Sequence, residues 1–472
     1  MTSSASDLKS GLQRNTLGVF AVGLAALFSG VMLVLVSSSL MLAVLGSLVF
    51  LAAVALSMMV TWRVSQTALV LLGLGMALGT RITLSGINFD VVELVLISML
   101  AILIVFNFHR LFIPLQSYEI IFIVFLGFRL TMSIFAADLR HSFSDLREWL
   151  EFVIALMVLR RVLVTAELAN VARKAFLFGA VISATLALGQ AYWDWPAPFV
   201  SEQGQMKTFV DFGSQSNYRV QPVAGLQSHP NSFAIYLAVG AIMLLFWTES
   251  FGTRKWLVLS WCGAGLCLWA IATTFAKTTY VAMGLTLLSV PCLRFWRGSL
   301  WRTCMLLAGG FGIIFMALRS AEIEGYGFAL SSFYIRERLW QDSLIILARN
   351  WHGLFLGDQL SELWKISVWG QPHNTFLFFL LEYGIIGACL LIAGGWAIVR
   401  EVSRSTGTAL GRSSVSARTK LICALVLYLG WTGMFESVGY PVHDKILLAL
   451  TAAFLLSEAG ASRKDSRNAL SE

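Results

Sequence analysis

Apolar runs long enough to cross a bilayer recur from Leu17 almost to the end of the chain, separated mostly by short polar connections. A hydrocarbon core of about 30 Å takes about 17 to 25 apolar residues in a helix, which satisfies its backbone polar groups internally. The runs begin near residues 17, 40, 66, 91, 118, 148, 175, 230, 256, 278, 301, 374, 419 and 442. This pattern predicts an all-α, polytopic membrane bundle of about fourteen transmembrane helices. The sixth run, from Glu148 to Thr165, is the weakest, because Glu151 and the Arg160-Arg161 pair leave an apolar stretch that requires snorkelling at both ends. If weak runs drop out, the count becomes twelve or thirteen.

The polar intervals divide this single domain, residues 1–472, into spans and loops. Two long segments, 194–229 and 319–373, are expected to be external, and long connections between rigid spans commonly carry function. Within the second, "YIRERLWQDSLIILAR" predicts an amphipathic helix on the membrane surface, with Trp340, Leu344 and Leu347 at helical spacing. Residues 400–420 form the longest cytoplasmic loop, and 459–472 a cytoplasmic tail of disordered composition. No internal repeat at a fixed period is visible.

Composition agrees with the pattern: the 472 residues are 57% hydrophobic and 13% charged, and the mean hydropathy is +0.76, which excludes an ordinary soluble domain. The net charge of +8 reads as a topological signal. With the N-terminus in the cytoplasm, most lysines and arginines fall on the cytoplasmic side, and both termini share it. The basic residues form no aromatic-interleaved patch, so no nucleic-acid partner is expected. The polar stretch before the first span argues against a cleavable signal peptide. The six cysteines lie in spans or at their ends, without disulfide or zinc spacing.

In this topology His141, His229, His352, His373 and His443, five of the six histidines, fall on the external side. His373 stands in "QPHNTFLFFLLEYGIIG" at the mouth of an apolar helix. Pro372 is tolerated at such a start, Asn374 or Thr375 can cap it, and the positive end of the helix favours a neutral imidazole able to accept a proton. His373 is therefore either a general base or a polar interface residue. His229 in "SHPNSFA" opens another span and is better read as part of a cap with Pro230. Arg338 has Asp342 four residues on, an expected helix ion pair, whereas Arg336 has Trp340 at that spacing. That leaves Arg336 to bind an anion through its planar fork, or to meet lipid headgroups. Lys277, with Tyr280 three residues later, either faces a polar cavity or snorkels. Arg129 and Glu436 are further ionisable residues within spans. Glu382, nine residues after His373 and half a turn out of phase, reads as a residue that holds the bundle together. No nucleotide loop, nucleophile motif, metal-ligand spacing or external acidic cluster appears, so neither a cofactor nor a metal is expected.

These segments resemble the bacterial O-antigen ligase and O-antigen polymerase superfamily. The resemblance rests on His373, Asn374, Leu377, Glu382, Gly384 and Gly387 in the His-Asn helix, and on Arg336, Trp340, Gly353 and Gly357 in the preceding loop. "GLQSHPNSFA" is similar to the segment opening the family's helix after the first external loop. Ala276-Lys277 departs from the Ser-Arg that many members carry, which removes a bidentate phosphate contact there. The resemblance covers about a third of the chain, from Gly225 to Gly387. It implies an inverting, metal-independent glycosyltransferase that takes a glycan from undecaprenyl pyrophosphate at the outer face of the cytoplasmic membrane. His373 would be its base, and Arg336, Lys277, Arg219 and Arg338 would bind the pyrophosphate. Asn374, Glu382, Tyr280, His229 and Trp340 would support them, and Trp193, Trp195, Trp364 and Trp369 offer rings for sugar stacking. Its partners would be a lipid-linked donor, a glycan or lipid-linked acceptor and other polysaccharide assembly proteins. A polymerase is slightly preferred over a ligase to lipid A-core. A transporter of lipid or glycan is the rival from another class, weakened by the external placement of the ionisable residues and the lack of repeats.

Overall fold

The computed structural model describes residues 64–78, 81–84, 87–90, most of 92–100, 113–136, 138–163, 166–193, 210–211, 219–220, 230–246, 254–274, 276–292, 327–366, 372–407, 417–435 and 444–457. Among these, helices dominate: α1 (Val64–Leu78), α2 (Ser117–Ile134), α3 (Leu139–Val162), α4 (Ala166–Trp193), α5 (Pro230–Phe246), α6 (Arg254–Thr273), α7 (Lys277–Cys292), α8 (Gly327–Arg349), α9 (Trp351–Leu356), α10 (Leu360–Ile366), α11 (Thr375–Gly407) and α12 (Ala417–Phe435). Residues 444–457 form a further helix, α13. The strands described are two short antiparallel ribbons, β1 (Arg81–Leu84) with β2 (Ile87–Asp90), and β3 (Val210–Asp211) with β4 (Arg219–Val220). They modify the all-α expectation only at connections.

Among the described residues, four helices are long and apolar enough to cross a membrane: Ser117–Ile134, Glu167–Trp193, Arg254–Thr273 and Thr375–Val402. Shorter apolar helices cover Pro230–Phe246, Thr278–Ser289 and Lys420–Gly433. Several helices leave large apolar side chains outward, among them Ile120, Ile123, Val124 and Leu130 on α2 and Trp256, Val258, Leu259 and Trp261 on α6. Such faces are unfavourable in water and ordinary against lipid, so the protein reads as a helical membrane protein. The expected count of about fourteen exceeds these four helices. The runs near 17, 40 and 301, the tail 459–472, Glu436 and His443 lie outside the described residues, as does most of 194–229.

Packing follows residue size. α5 is apolar on all sides and is buried from Ser232 to Leu244, so it occupies the interior. α4 meets it through small residues, and a Cβ on Gly240 would stand 2.8 Å from the Cβ of Ala180. Gly73 of α1 meets the α4 backbone at Phe176 equally closely. Small residues let helices approach where no hydrophobic effect against lipid drives them together. α2 buries Phe122, Phe125, Arg129 and Ser133 as a stripe, and α11 offers it Gly387 and Gly394, which lie against Phe128 and Phe122.

One expectation is corrected. Arg160 and Arg161 do not snorkel: both pair with Glu119 of α2, Arg161 Nη1 at 3.0 Å, and Arg161 and Glu119 are buried. A buried carboxylate facing two guanidiniums needs no route to the interface. Among the described side chains of α8, Leu339, Ser343 and Leu347 are buried, Trp340 is partly buried and Leu344 is 56% exposed. The expected helix is present, and an outward Leu344 is compatible with an apolar stripe turned to lipid.

α11 is not one straight helix. Gly384 has φ 63° and ψ −175°, which breaks it into an outer segment and a long inner one. The carbonyls of Leu381 and Glu382, which lose helical partners at the break, accept instead from Gln359 N at 2.8 Å and Asp358 N at 3.1 Å. Gly357, at φ 89°, crosses Gly384 so closely that a Cβ on either would enter the other segment's backbone. A break inside an apolar helix persists only where such partners satisfy the freed groups. Gly384→Ala is accordingly expected to lower stability by at least about 2 kcal/mol. Gly265→Ala in open space on α6 should leave it unchanged or raise it by about 0.5 to 1 kcal/mol. Thermal unfolding of both variants in detergent measures the contrast.

Candidate functional site

The mouth of α11 is held on both sides. Asn374 is its N-cap: its side-chain oxygen accepts from the backbone N–H groups of Phe376 and Leu377, each at 3.0 Å. On the other side, Trp340 Nε1 donates to the carbonyl of Pro372 at 2.7 Å. His373 between them has φ 47°, a left-handed conformation that histidine adopts more readily than most residues but still at a cost. Cap and tether together impose that conformation and keep the half-buried imidazole at the helix entrance.

One turn before Trp340 on α8, Arg336 donates from Nη1 to Thr278 Oγ1 at 3.0 Å. Thr278 is buried in the first turn of α7, and Thr375 at the start of α11 approaches Gly433 of α12. The starts of α7 and α11, the middle of α8 and the end of α12 thus meet. Tyr280 turns its hydroxyl toward the carbonyls of Ile271 and Ala272, at 2.9 and 2.7 Å, and closes the last turn of α6. Arg338 is exposed, and among the described residues no ion pair joins it to Asp342, contrary to the expected helix pair. Lys277 begins α7 and Arg219 lies in β4, but their side chains are outside the described residues, as is all of His229. Of the candidate rings, Trp364 and Trp193 are exposed, while Trp195 and Trp369 are outside the described residues.

At the inner end of the outer α11 segment lies a second polar system. Glu382 is buried and pairs with Arg129 of α2, whose Nη1 also reaches the Glu382 carbonyl at 3.4 Å. Arg129 Nε donates to Asp145 of α3 at 3.1 Å. Asp145 Oδ1 accepts from Tyr383 Oη at 2.9 Å and Lys445 Nζ at 3.2 Å, and Lys445 reaches Glu148 at 2.8 Å. Trp149 Nε1 donates to Tyr383 Oη at 2.7 Å. Charges this deep are tolerated because each faces an opposite charge and spare donors find acceptors.

Asp145, Lys445, Tyr383 and Trp149 were not singled out from the sequence, and His141 was named only among the five external histidines. The available signal was Asp145 and Lys445 themselves, ionisable groups beside apolar runs. Sequence reasoning named Arg129 without a partner; the structure gives it two. Of the glycines quoted for the resemblance, Gly357 and Gly384 meet at the crossing, whereas Gly353 lies against the Gln359 side chain and Gly387 against Phe128 and Phe125. No protein-family model and no curated protein matches the chain.

Two variants separate cap from network. Asn374→Ala should cost about 1 kcal/mol, with Asn374→Asp restoring it. Arg129→Ala, which removes the cation between two buried carboxylates, should cost about 3 to 5 kcal/mol. Detergent melting curves compare them.

Proposed function

We propose that this protein is a membrane glycosyltransferase that transfers a glycan from undecaprenyl pyrophosphate at the outer face of the bacterial cytoplasmic membrane, with polymerisation of a surface polysaccharide preferred over ligation. The observation that supports this most is the meeting of Arg336, Trp340 and the His373 entrance of α11, brought together from separate stretches of chain. In this reading His373 takes the proton of an acceptor sugar hydroxyl. The freed oxygen attacks the anomeric carbon as the bond to the lipid pyrophosphate breaks, with inversion. Arg336, oriented by Thr278, stabilises the charge that develops on the leaving pyrophosphate. Lys277, Arg219 and Arg338 are its proposed companions, and no metal takes part. A base at a helix entrance beside apolar surface suits a substrate with its tail in the bilayer and its reacting hydroxyl in water.

The test uses the purified protein in liposomes with one undecaprenyl-pyrophosphate-linked repeat unit and no other acceptor. A ladder of longer lipid-linked glycans is expected, reduced by at least about 100-fold in His373→Ala and strongly reduced in Arg336→Ala while both variants stay folded. Product formed only after lipid A-core is added would identify a ligase. Movement of the intact lipid-linked glycan across the bilayer without new bonds would identify a transporter and overturn the proposal.

A further inference from the structure

The buried ionic groups form a line of alternating sign: Glu148, Lys445, Asp145, Arg129, Glu382 and then His141. Three carboxylates face two permanent cations, so the line is one positive charge short unless a group at one of its ends, Glu148 or His141, carries a proton. Glu148 is 22% exposed and His141 24%, while the groups between are almost fully enclosed. A proton can therefore reach the line only at its ends, and the surroundings of His141 offer it a site.

The local geometry of His141 fits that role. Its Nε2 is shut off from solvent, lacks a hydrogen-bond partner, and stands 3.6 Å from Glu382 Oε1. Facing a carboxylate, Nε2 is suited only as an N–H, which the neutral Nε2–H tautomer or the imidazolium presents, and the imidazolium alone adds the positive charge that the line lacks. Trp364 of α10 closes the remaining side, its ring edge-on to the imidazole at 4.8 Å. Glu382 from α11, Asp145 from α3 and Arg129 from α2 are the charged groups that act on it, and the two carboxylates outweigh the guanidinium. Nearby on α10, Lys365 and Glu362 pair with each other at 2.6 Å and add no net charge.

We infer that His141 and Glu382 form a proton-binding site at the open end of this buried line, and that an occupied site clamps the start of α3 to the break in α11. With the proton present, Glu382 lies between two cations and the line is neutral. With it absent, an uncompensated carboxylate remains at the point where α11, α2 and the 357–359 segment cross. The inference does not depend on the transferase reading. It is supported by the His141 imidazole being held above the usual histidine range, chiefly by the Glu382 carboxylate.

The site is tested by NMR titration of the full-length protein carrying isotope-labelled histidine in nanodiscs, with the His141 signal identified by its loss in His141→Gln. The midpoint is expected above that of a histidine peptide, and Glu382→Gln should bring it down toward the peptide's. A wild-type midpoint at or below the peptide's overturns the site. Should Glu382→Gln not fold, the gap in melting temperature between wild type and His141→Gln decides. Because the folded state binds this proton more tightly than the unfolded one, the gap should be full below about pH 6.5 and close as pH rises through the folded-state midpoint. A gap independent of pH would leave only packing and overturn the inference.

Discussion

One buried guanidinium constrains the rest of the described bundle. Arg129 lies within α2 and is 1% exposed, so removing it from water is costly unless its donors are matched. Asp145 and Glu382 match them, and each brings a further element. Asp145 draws in Lys445 of α13, and Glu382 fixes α11 at the residue pair preceding its break. Through Phe454, α13 also touches Phe176 of α4. A set of charges that would each be unfavourable alone becomes a joint between helices widely separated in the chain. Apolar contacts slide easily against one another, whereas these pairs have one register.

The outer segment of α11, Thr375 to Tyr383, is fixed at both ends by polar contacts rather than by apolar packing alone. At its entrance are the Asn374 cap and the Trp340 tether to Pro372. At its inner end, Gly384 crosses Gly357 and the freed carbonyls take the N–H groups of Asp358 and Gln359. Asp358 also has positive φ, so the crossing concentrates unfavourable backbone on both sides. That geometry is affordable only because each segment supplies what the other lacks. The result is a short, rigid half-helix that presents His373, with the loop carrying Arg336 and Trp340 attached to the same half-helix at both ends.

Much of this was legible in residue order where the cause is local. The apolar runs announced long helices, Asn374 was readable as a cap beside Pro372, and Glu382, out of phase with His373, was readable as a bundle contact. What was not legible depends on contacts across the fold. Glu382 and Arg129 are 253 positions apart, and no spacing rule connects them. The helix carrying Trp340 was readable from its spacing, but not the hydrogen bond from its indole to Pro372, which joins positions 32 apart. Snorkelling of Arg160 and Arg161 was inferred from their own segment, and Glu119 lies on another helix. The break at Gly384 was invisible because a glycine in a membrane helix more often serves close packing, as Gly387 and Gly394 do.

The entrance of α11 and the ionic line beneath it are linked mechanically more than electrostatically. Nine residues separate His373 from Glu382, or about 13 Å along a helix. At that distance a single charge acts with about 1 kcal/mol at an effective dielectric of about 20, and the alternation of signs along the line cancels most of it. A shift of the helix break, by contrast, travels undiminished through about two and a half turns of hydrogen-bonded backbone. A change in the ionic line would therefore reach His373 as a displacement of the half-helix that carries it.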